Sequence, residues 1–240
     1  MAYPFEMHFH TDEVSPCGNV PAAEAAAAYR RGGYAGVVVT DHYAAYNFAR
    51  FPGDWDTKVD AYLAGYGAAK AAGEPLGLTV LLGLELRLDG AEKTGEPALD
   101  ALRDSINEYL VYGVTEEQLR RYPALYTLDE KRLKALAEQL GWFVAQSHPC
   151  RSGMRPCPAA YLDGVEVMNG NPRHNSHNED AASFCRANGL VGLSGSDFHE
   201  WEDLAIGGLD FAGPVPDSAT LVARLRAGEF VRICAQKGDA

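Results

Sequence analysis

Two histidines two positions apart carry the first hint of chemistry in this chain. His8 and His10 stand in Met7-His8-Phe9-His10. On a β-strand, residues i and i+2 point to one side, so the pair can grip one metal ion or can simply be a packed structural pair. Other residues bear on that choice. His42 follows Asp41 directly after the β-branched run Gly36–Thr40. His148 follows Trp142–Gln146 and Ser147. Asp197 and His199 follow the apolar stretch that begins at Leu190. Glu85 lies inside the apolar run Leu78–Leu88, where an unpaired carboxylate is costly. A metal ion would resolve that cost, and Arg87 two residues on is a rival partner. Imidazoles and carboxylates together suit Zn, Mn or Fe, so a cluster of divalent ions is the expectation.

The elements that must bring these residues together are legible as alternation. Strands are expected at Pro4–His10, Gly36–Thr40, Leu78–Leu88, Ile106–Tyr112, Trp142–Gln146, Gly164–Met168, Leu190–Leu193 and Phe230–Ala235. Helices are expected at Pro21–Arg31 with Asn19 as a cap, and at Trp55–Ala72, Thr115–Arg121, Leu128–Leu140, Asn175–Asn188 and Asp217–Ala227. Gly90–Asp104 reads as a surface excursion. Strand-helix alternation implies a parallel sheet with helical cover, and the number of strands favours a closed or nearly closed barrel. A single α/β barrel domain can run to about 250 residues, so residues 1–240 fit one domain. In a parallel barrel the C-terminal strand ends converge on one face. His8, His10, His42, His148 and His199 all fall at such ends.

Taken together, these motifs resemble the PHP family, the polymerase and histidinol phosphatase domain. The resemblance runs through His8-Phe9-His10-Thr11, Thr40-Asp41-His42, Glu85 after Gly83, Ser147-His148-Pro149, Asn169 and Ser196-Asp197-Phe198-His199, which is nearly the whole chain. It implies a distorted (β/α)7 TIM-like barrel, two or three divalent metal ions and phosphoesterase activity. It also implies a ligand set. His8, His10, Glu85 and Asp197 would hold one ion, Glu85 and His148 a second, and His42 and His199 a third.

The chain departs from the family pattern twice. Relatives commonly supply a further His to the second ion, but no histidine lies between His42 and His148. Glu108 is the proposed replacement. Many relatives also place a His or Asp a few residues after the first pair. Here the loop is Thr11–Gly18, with Glu13 the best substitute and Cys17 a soft outsider; Ser15 and Pro16 are poor ligands.

The expected reaction is hydrolysis of a small phosphorylated metabolite by a metal-activated hydroxide. Arg151 and Arg173, on strand-end loops, are candidate phosphate partners because a guanidinium offers a forked donor set. His199 or a metal-bound water would protonate the leaving group. An amidohydrolase-type enzyme acting on C–N or C–O bonds is the runner-up, although none of the six lysines lies at a strand end. A non-catalytic PHP regulatory module is the third reading. The aromatic loop residues Tyr43, Tyr46, Phe48, Phe51 and Trp55 are expected to pack rather than to bind.

Composition sets the remaining expectations. The formal charge is −12, so nucleic acid is not the expected partner. The five cysteines follow no disulfide or zinc-ribbon spacing, which suits a reducing cytoplasm. The N-terminus lacks the features of a signal peptide, and no apolar run suggests a membrane span. Oligomeric state is not legible.

Overall fold

The computed structural model describes residues 2–234. Its strands are β1 (Tyr3–Phe9), β2 (Gly36–Val39), β3 (His42–Tyr43), β4 (Thr79–Arg87), β5 (Glu108–Tyr112), β6 (Phe143–Gln146), β7 (Gly164–Asn169), β8 (Val191–Gly195), β9 (Gly207–Phe211) and β10 (Phe230–Cys234). Around them lie α1 (Ala22–Arg31), α2 (Ala45–Phe48), α3 (Trp55–Tyr62), α4 (Ala64–Gly73), α5 (Pro97–Asp100), α6 (Glu116–Arg121), α7 (Glu130–Leu140), α8 (Asn178–Asn188) and α9 (Ser218–Ala227). The strands form one sheet in the order β10-β9-β1-β2-β4-β5-β6-β7-β8, with β3 beside β4.

The sheet curls until its two sides nearly meet. Phe9 and Phe198 form a parallel bridge. His10 N–H donates to the Phe198 carbonyl and Phe198 N–H to the His8 carbonyl, both at 3.0 Å. These bonds lace the loop after β8 to the end of β1. The result is a mixed α/β fold with a nearly closed, distorted TIM-like barrel. β1 is central, with β2 on one side and β9 on the other, and both its faces are covered. That is why Phe5 through His10 are all buried. The Ala-rich helix α1 buries Ala22, Ala25, Ala26 and Tyr29, a helical stripe whose small side chains let it pack closely on α4.

The alternation predicted a parallel sheet, and the sheet is instead mixed. β5 runs antiparallel to both β4 and β6, and β9 runs antiparallel to β1 and β10. The reversal of β5 has a chemical consequence. Its first residue, Glu108, lies at the same end of the barrel as the C-terminal ends of the parallel strands, paired with Arg87 at the end of β4.

Other boundaries also shift. The expected helix Trp55–Ala72 is divided at Leu63 into α3 and α4. α1 begins at Ala22 with Pro21 at the cap position, and Asn19 takes no part. Instead both Glu13 carboxylate oxygens accept from Ala22 N–H at 3.1 Å. The Gly90–Asp104 excursion contains α5. Of the last expected strand, Ala235 lies outside the described residues. Among the described residues, no helix is long and apolar enough to cross a membrane.

Candidate metal centre

His8 and His10 point to one side of β1, and each is fixed by its far nitrogen. His8 Nδ1 lies 2.9 Å from Glu166 Oε1 on β7. A carboxylate only accepts, so Nδ1 carries the proton. His10 Nδ1 lies 3.1 Å from Ser15 Oγ, which in turn donates to Asp41 Oδ1 at 2.7 Å. The same hydroxyl accepts from His42 N–H at 3.1 Å, which exhausts its one donor and two acceptor positions. His199 Nδ1 donates to the Asp197 carbonyl at 2.9 Å. In all three rings the Nε2 atom is therefore the one left for other work.

Those bare nitrogens face carboxylates. His8 Nε2 is 3.1 Å from Glu85 Oε1 and 3.4 Å from Asp197 Oδ1. His10 Nε2 is 3.3 Å from Glu85 Oε2. Both Nε2 atoms are buried and lack a hydrogen-bond partner, as does Glu85 Oε2. Lone pair would face lone pair unless an added proton or a cation lies between them. His148 Nε2 is 3.1 Å from Glu85 Oε1, and His42 Nδ1 is 2.9 Å from Glu85 Oε2 and 3.6 Å from Glu108 Oε1. Four overlapping sets have the mutual spacing of metal ligands: His8-His10-Glu85, His8-His148-Asp197, His42-Glu85-Glu108 and His10-His42-His199. The donor types and the orphaned atoms fit divalent cations.

The electrostatics agree. Burial alone would depress His8, but Asp197, Glu166 and Glu85 overcome it and raise its pKa well above the ordinary value. His42 is raised in the same way, with Glu85 the leading opponent of burial. Burial would push the Glu85 carboxyl up, yet His8 and His42 hold it well below the usual range. Asp197 follows the same pattern through His8. Glu108 goes the other way: burial, and then the charge of Glu85, raise it. For His8, His42, Glu85 and Asp197 the fields favour the charged forms, and a cation can take over what the imidazolium protons do.

The backbone is bent to make this arrangement. His148 and Asp197 have φ of 29° and 53°, a left-handed region that non-glycine residues rarely occupy and that tends to mark functional positions. Gly195 is required by close approach, because a Cβ there would meet His8 Cβ at 2.5 Å and Glu166 Oε1 at 2.9 Å.

The centre forms the floor of a cleft of about 630 Å³, a size ordinary for a small-molecule site. Arg151 lines it; its Nη2 donates to Asp197 Oδ2 at 2.8 Å and Asn169 Oδ1 at 2.9 Å. Arg173 lines it too, but its guanidinium is spent on Asp203 (2.7 Å twice) and Glu202 (2.9 Å). Glu13 is not brought to the cluster, because its carboxylate is engaged at α1. His174 lines the cleft beside Arg173. Most of the aromatic loop packs inward, with Phe48 stacked on Trp55 at 5.0 Å, while Tyr46 stays partly exposed, 6.4 Å from the His42 ring.

Glu166 and the orienting role of Ser15 escaped the sequence reading, and Cys17 entered it only as a soft outsider. Glu166 sits in the strand Gly164-Val165-Glu166-Val167-Met168 as a buried carboxylate. Besides His8 it accepts from His148 N–H at 3.0 Å and Asn169 Nδ2 at 2.9 Å. The signal, an acid inside an apolar strand, was the one that marked Glu85. Ser15 is a poor ligand but orients His10. Cys17 Sγ lies 3.2 Å from His42 Nε2. Burial would raise its thiol, yet hydrogen bonds from His199 and His42 lower it to about 5.

Comparison with known proteins agrees with this architecture. Residues 175–230 match the family model described as PHP-associated. No curated protein matches the sequence. A Bacteroides vulgatus two-domain protein containing a predicted PHP-like metal-dependent phosphoesterase superposes with a TM-score of 0.66 at 14% identity, covering 98% of this chain and 65% of that one. This chain thus spans just under two thirds of that protein. Endonuclease Q, in complex with a 27-mer duplex bearing an abasic lesion, superposes at 0.57 with 13% identity, over 95% of this chain and 57% of that one. A Chromobacterium violaceum amidohydrolase with bound sulfate superposes at 0.52 with 15% identity, over 96% and 98%. The expectation that nucleic acid is not a partner is corrected by the second of these, since a protein of this fold holds duplex DNA. The physical reason is that net charge sums the whole chain, whereas ions bound at a site set the local field and are not counted in it.

Proposed function

We propose that this chain, whose fold and C-terminal match are those of the PHP domain family, is a metal-dependent phosphoesterase. The observation that carries the reading is the set of orphaned, buried imidazole nitrogens and carboxylate oxygens on the floor of an open cleft. His8, His10, His42, His148, His199, Glu85, Glu108 and Asp197 would hold two or three divalent ions. Such ions, when bound, lower the pKa of water and neutralise charge on phosphoryl oxygens.

The chain's own groups do the rest. Glu166 and Ser15 hold His8 and His10 in the tautomer that presents Nε2. Arg151 sits at the rim with Nη1 free of hydrogen-bond partners among the described residues, and it is the residue assigned to a phosphoryl oxygen. Arg173 clamps the loop at residues 200–203 instead. His199 has one working nitrogen, because Nδ1 is held by the Asp197 carbonyl. One nitrogen cannot bind an ion and protonate a leaving group at once, so His199 is assigned to the ion. The five cysteines are all free, which suits a reducing compartment.

The finer reading is a phosphate ester of a small metabolite, which the size of the cleft supports. The test is metal analysis of the purified protein followed by one panel of phosphomonoesters, phosphodiesters, oligonucleotides, amides and lactones. Phosphoester turnover that disappears on chelation is expected. Turnover of abasic duplex alone would replace the metabolite with DNA. Turnover of amides or lactones alone would overturn the phosphoesterase reading.

A further inference from the structure

The geometry points to Cys17 as a thiolate ligand that, with His42 and His199, completes a mixed sulfur-nitrogen cation site at the mouth of the centre. The inference rests on the metal-dependent reading above and specifies one of its ions.

Three independent features support it. The first is position. Cys17, His42 and His199 line the same cleft, and Cys17 Sγ is 3.2 Å from His42 Nε2. His42 Nδ1 faces Glu85, so its two nitrogens serve different neighbours. The second is the ring set behind them. His10, His42 and His199 have the spacing of ligands to one ion; His10 stacks on His199 at 4.2 Å and lies 4.4 Å from His42. His10 Nε2 is fully buried and unpartnered. The third is the loop that carries the thiol, which is pinned at both ends to the same histidines. On one side Ser15 Oγ binds His10 Nδ1 and His42 N–H. On the other, Asn19 N–H donates to the His199 carbonyl at 2.9 Å. Between them Gly18 lets the loop fold back on Thr11, since a Cβ there would meet the Thr11 carbonyl oxygen at 2.6 Å. Cys17 is held where sulfur meets imidazole.

A thiolate changes what the site prefers. The other donors of the centre are imidazoles and carboxylates, acceptable to Mn, Fe or Zn. One sulfur shifts this position toward softer ions such as Zn, and toward Cd as a probe. It also makes the position sensitive to oxidants, because a thiol oxidised to sulfenic acid loses that donor.

The test uses the full chain, with Cys234 as an internal control because both thiols are exposed. Alkylation of each cysteine is followed by peptide mass spectrometry with and without zinc, alongside metal content and the absorbance of the cobalt- and cadmium-loaded protein. At a hundredfold excess of zinc over its Kd, mass action predicts that alkylation of Cys17 slows by about 100-fold while Cys234 does not change. A sulfur-to-metal charge-transfer band is expected with Co or Cd, and it is lost in Cys17→Ser. Bound metal with Cys17 unprotected and no such band overturns this inference alone. No bound metal in either protein overturns it together with the reading on which it rests.

Discussion

Glu166 shows how a residue acts at this centre without touching an ion. It accepts from His8 Nδ1–H at 2.9 Å through Oε1 and from the His148 backbone N–H at 3.0 Å through Oε2, so one carboxylate orients two prospective ligands. Its negative charge also makes His8 a better donor at Nε2. Partners of this kind are worth about 10–100-fold in metal affinity. Glu166→Gln, which keeps the shape and removes the charge, is expected to weaken metal binding by that factor, measured by competition with a chromophoric chelator. Circular dichroism would check that the fold is kept, and unchanged affinity in a folded variant would remove Glu166 from the centre. The prospective ligands themselves were legible in the sequence because histidines at successive strand ends are unusual. Glu166 and Ser15 were not. Ser15 gains its meaning from a loop conformation, and Glu166, though an acid inside an apolar strand, gains its role from contacts with His8 and His148 that are remote in sequence.

Elements were legible as alternation but not as direction. Apolar runs such as Gly36–Val39 and Phe143–Gln146 announce buried strands, and period-two patterning is the same read forwards or backwards. The reversal of β5 was therefore invisible, although Glu108 was picked out by the absence of a histidine there. The capping partner of α1 was missed for a related reason. Its donor is served from outside the helix, by Glu13 across eight intervening residues. That contact yields a prediction that separates two roles for Glu13. A carboxylate at a helix N-terminus is worth about 0.5–2 kcal/mol as a cap. Glu13→Ala is thus expected to lower stability by about 1 kcal/mol, read from the denaturant midpoint, while metal content stays constant. A loss of one metal equivalent instead would make Glu13 a ligand after all.

At the scale of the whole molecule, the centre is a concentration of buried charge that the fold must balance. Glu85, Asp197, Glu108 and Glu166 are all buried together, in a chain of net charge −12. Without metal, the balance falls to protons. His8 and His42 have pKa values raised above the ordinary 6.5. Their contribution to stability is complete below that value and is lost as pH rises through the folded-state values. Glu85 and Asp197 are lowered from 4.5 and 3.8, so their contribution is present above those values and is lost as pH falls through the folded-state ones. The metal-free protein should accordingly be steadiest between about pH 5 and 6 and weaken toward alkaline pH, as the imidazoliums deprotonate and leave carboxylates facing lone pairs. Bound ions reverse that trend, because they require the deprotonated rings and repay the same carboxylates. Each ion held at a hundredfold excess over its Kd adds about 2.7 kcal/mol, or about 5–11 °C in Tm for a chain of this size. Thermal melts with and without chelator across that pH range are therefore expected to diverge, with the gap widest on the alkaline side. A gap that is constant with pH, or that closes as pH rises, would mean that the imidazole protons and the ions do not compete for one site.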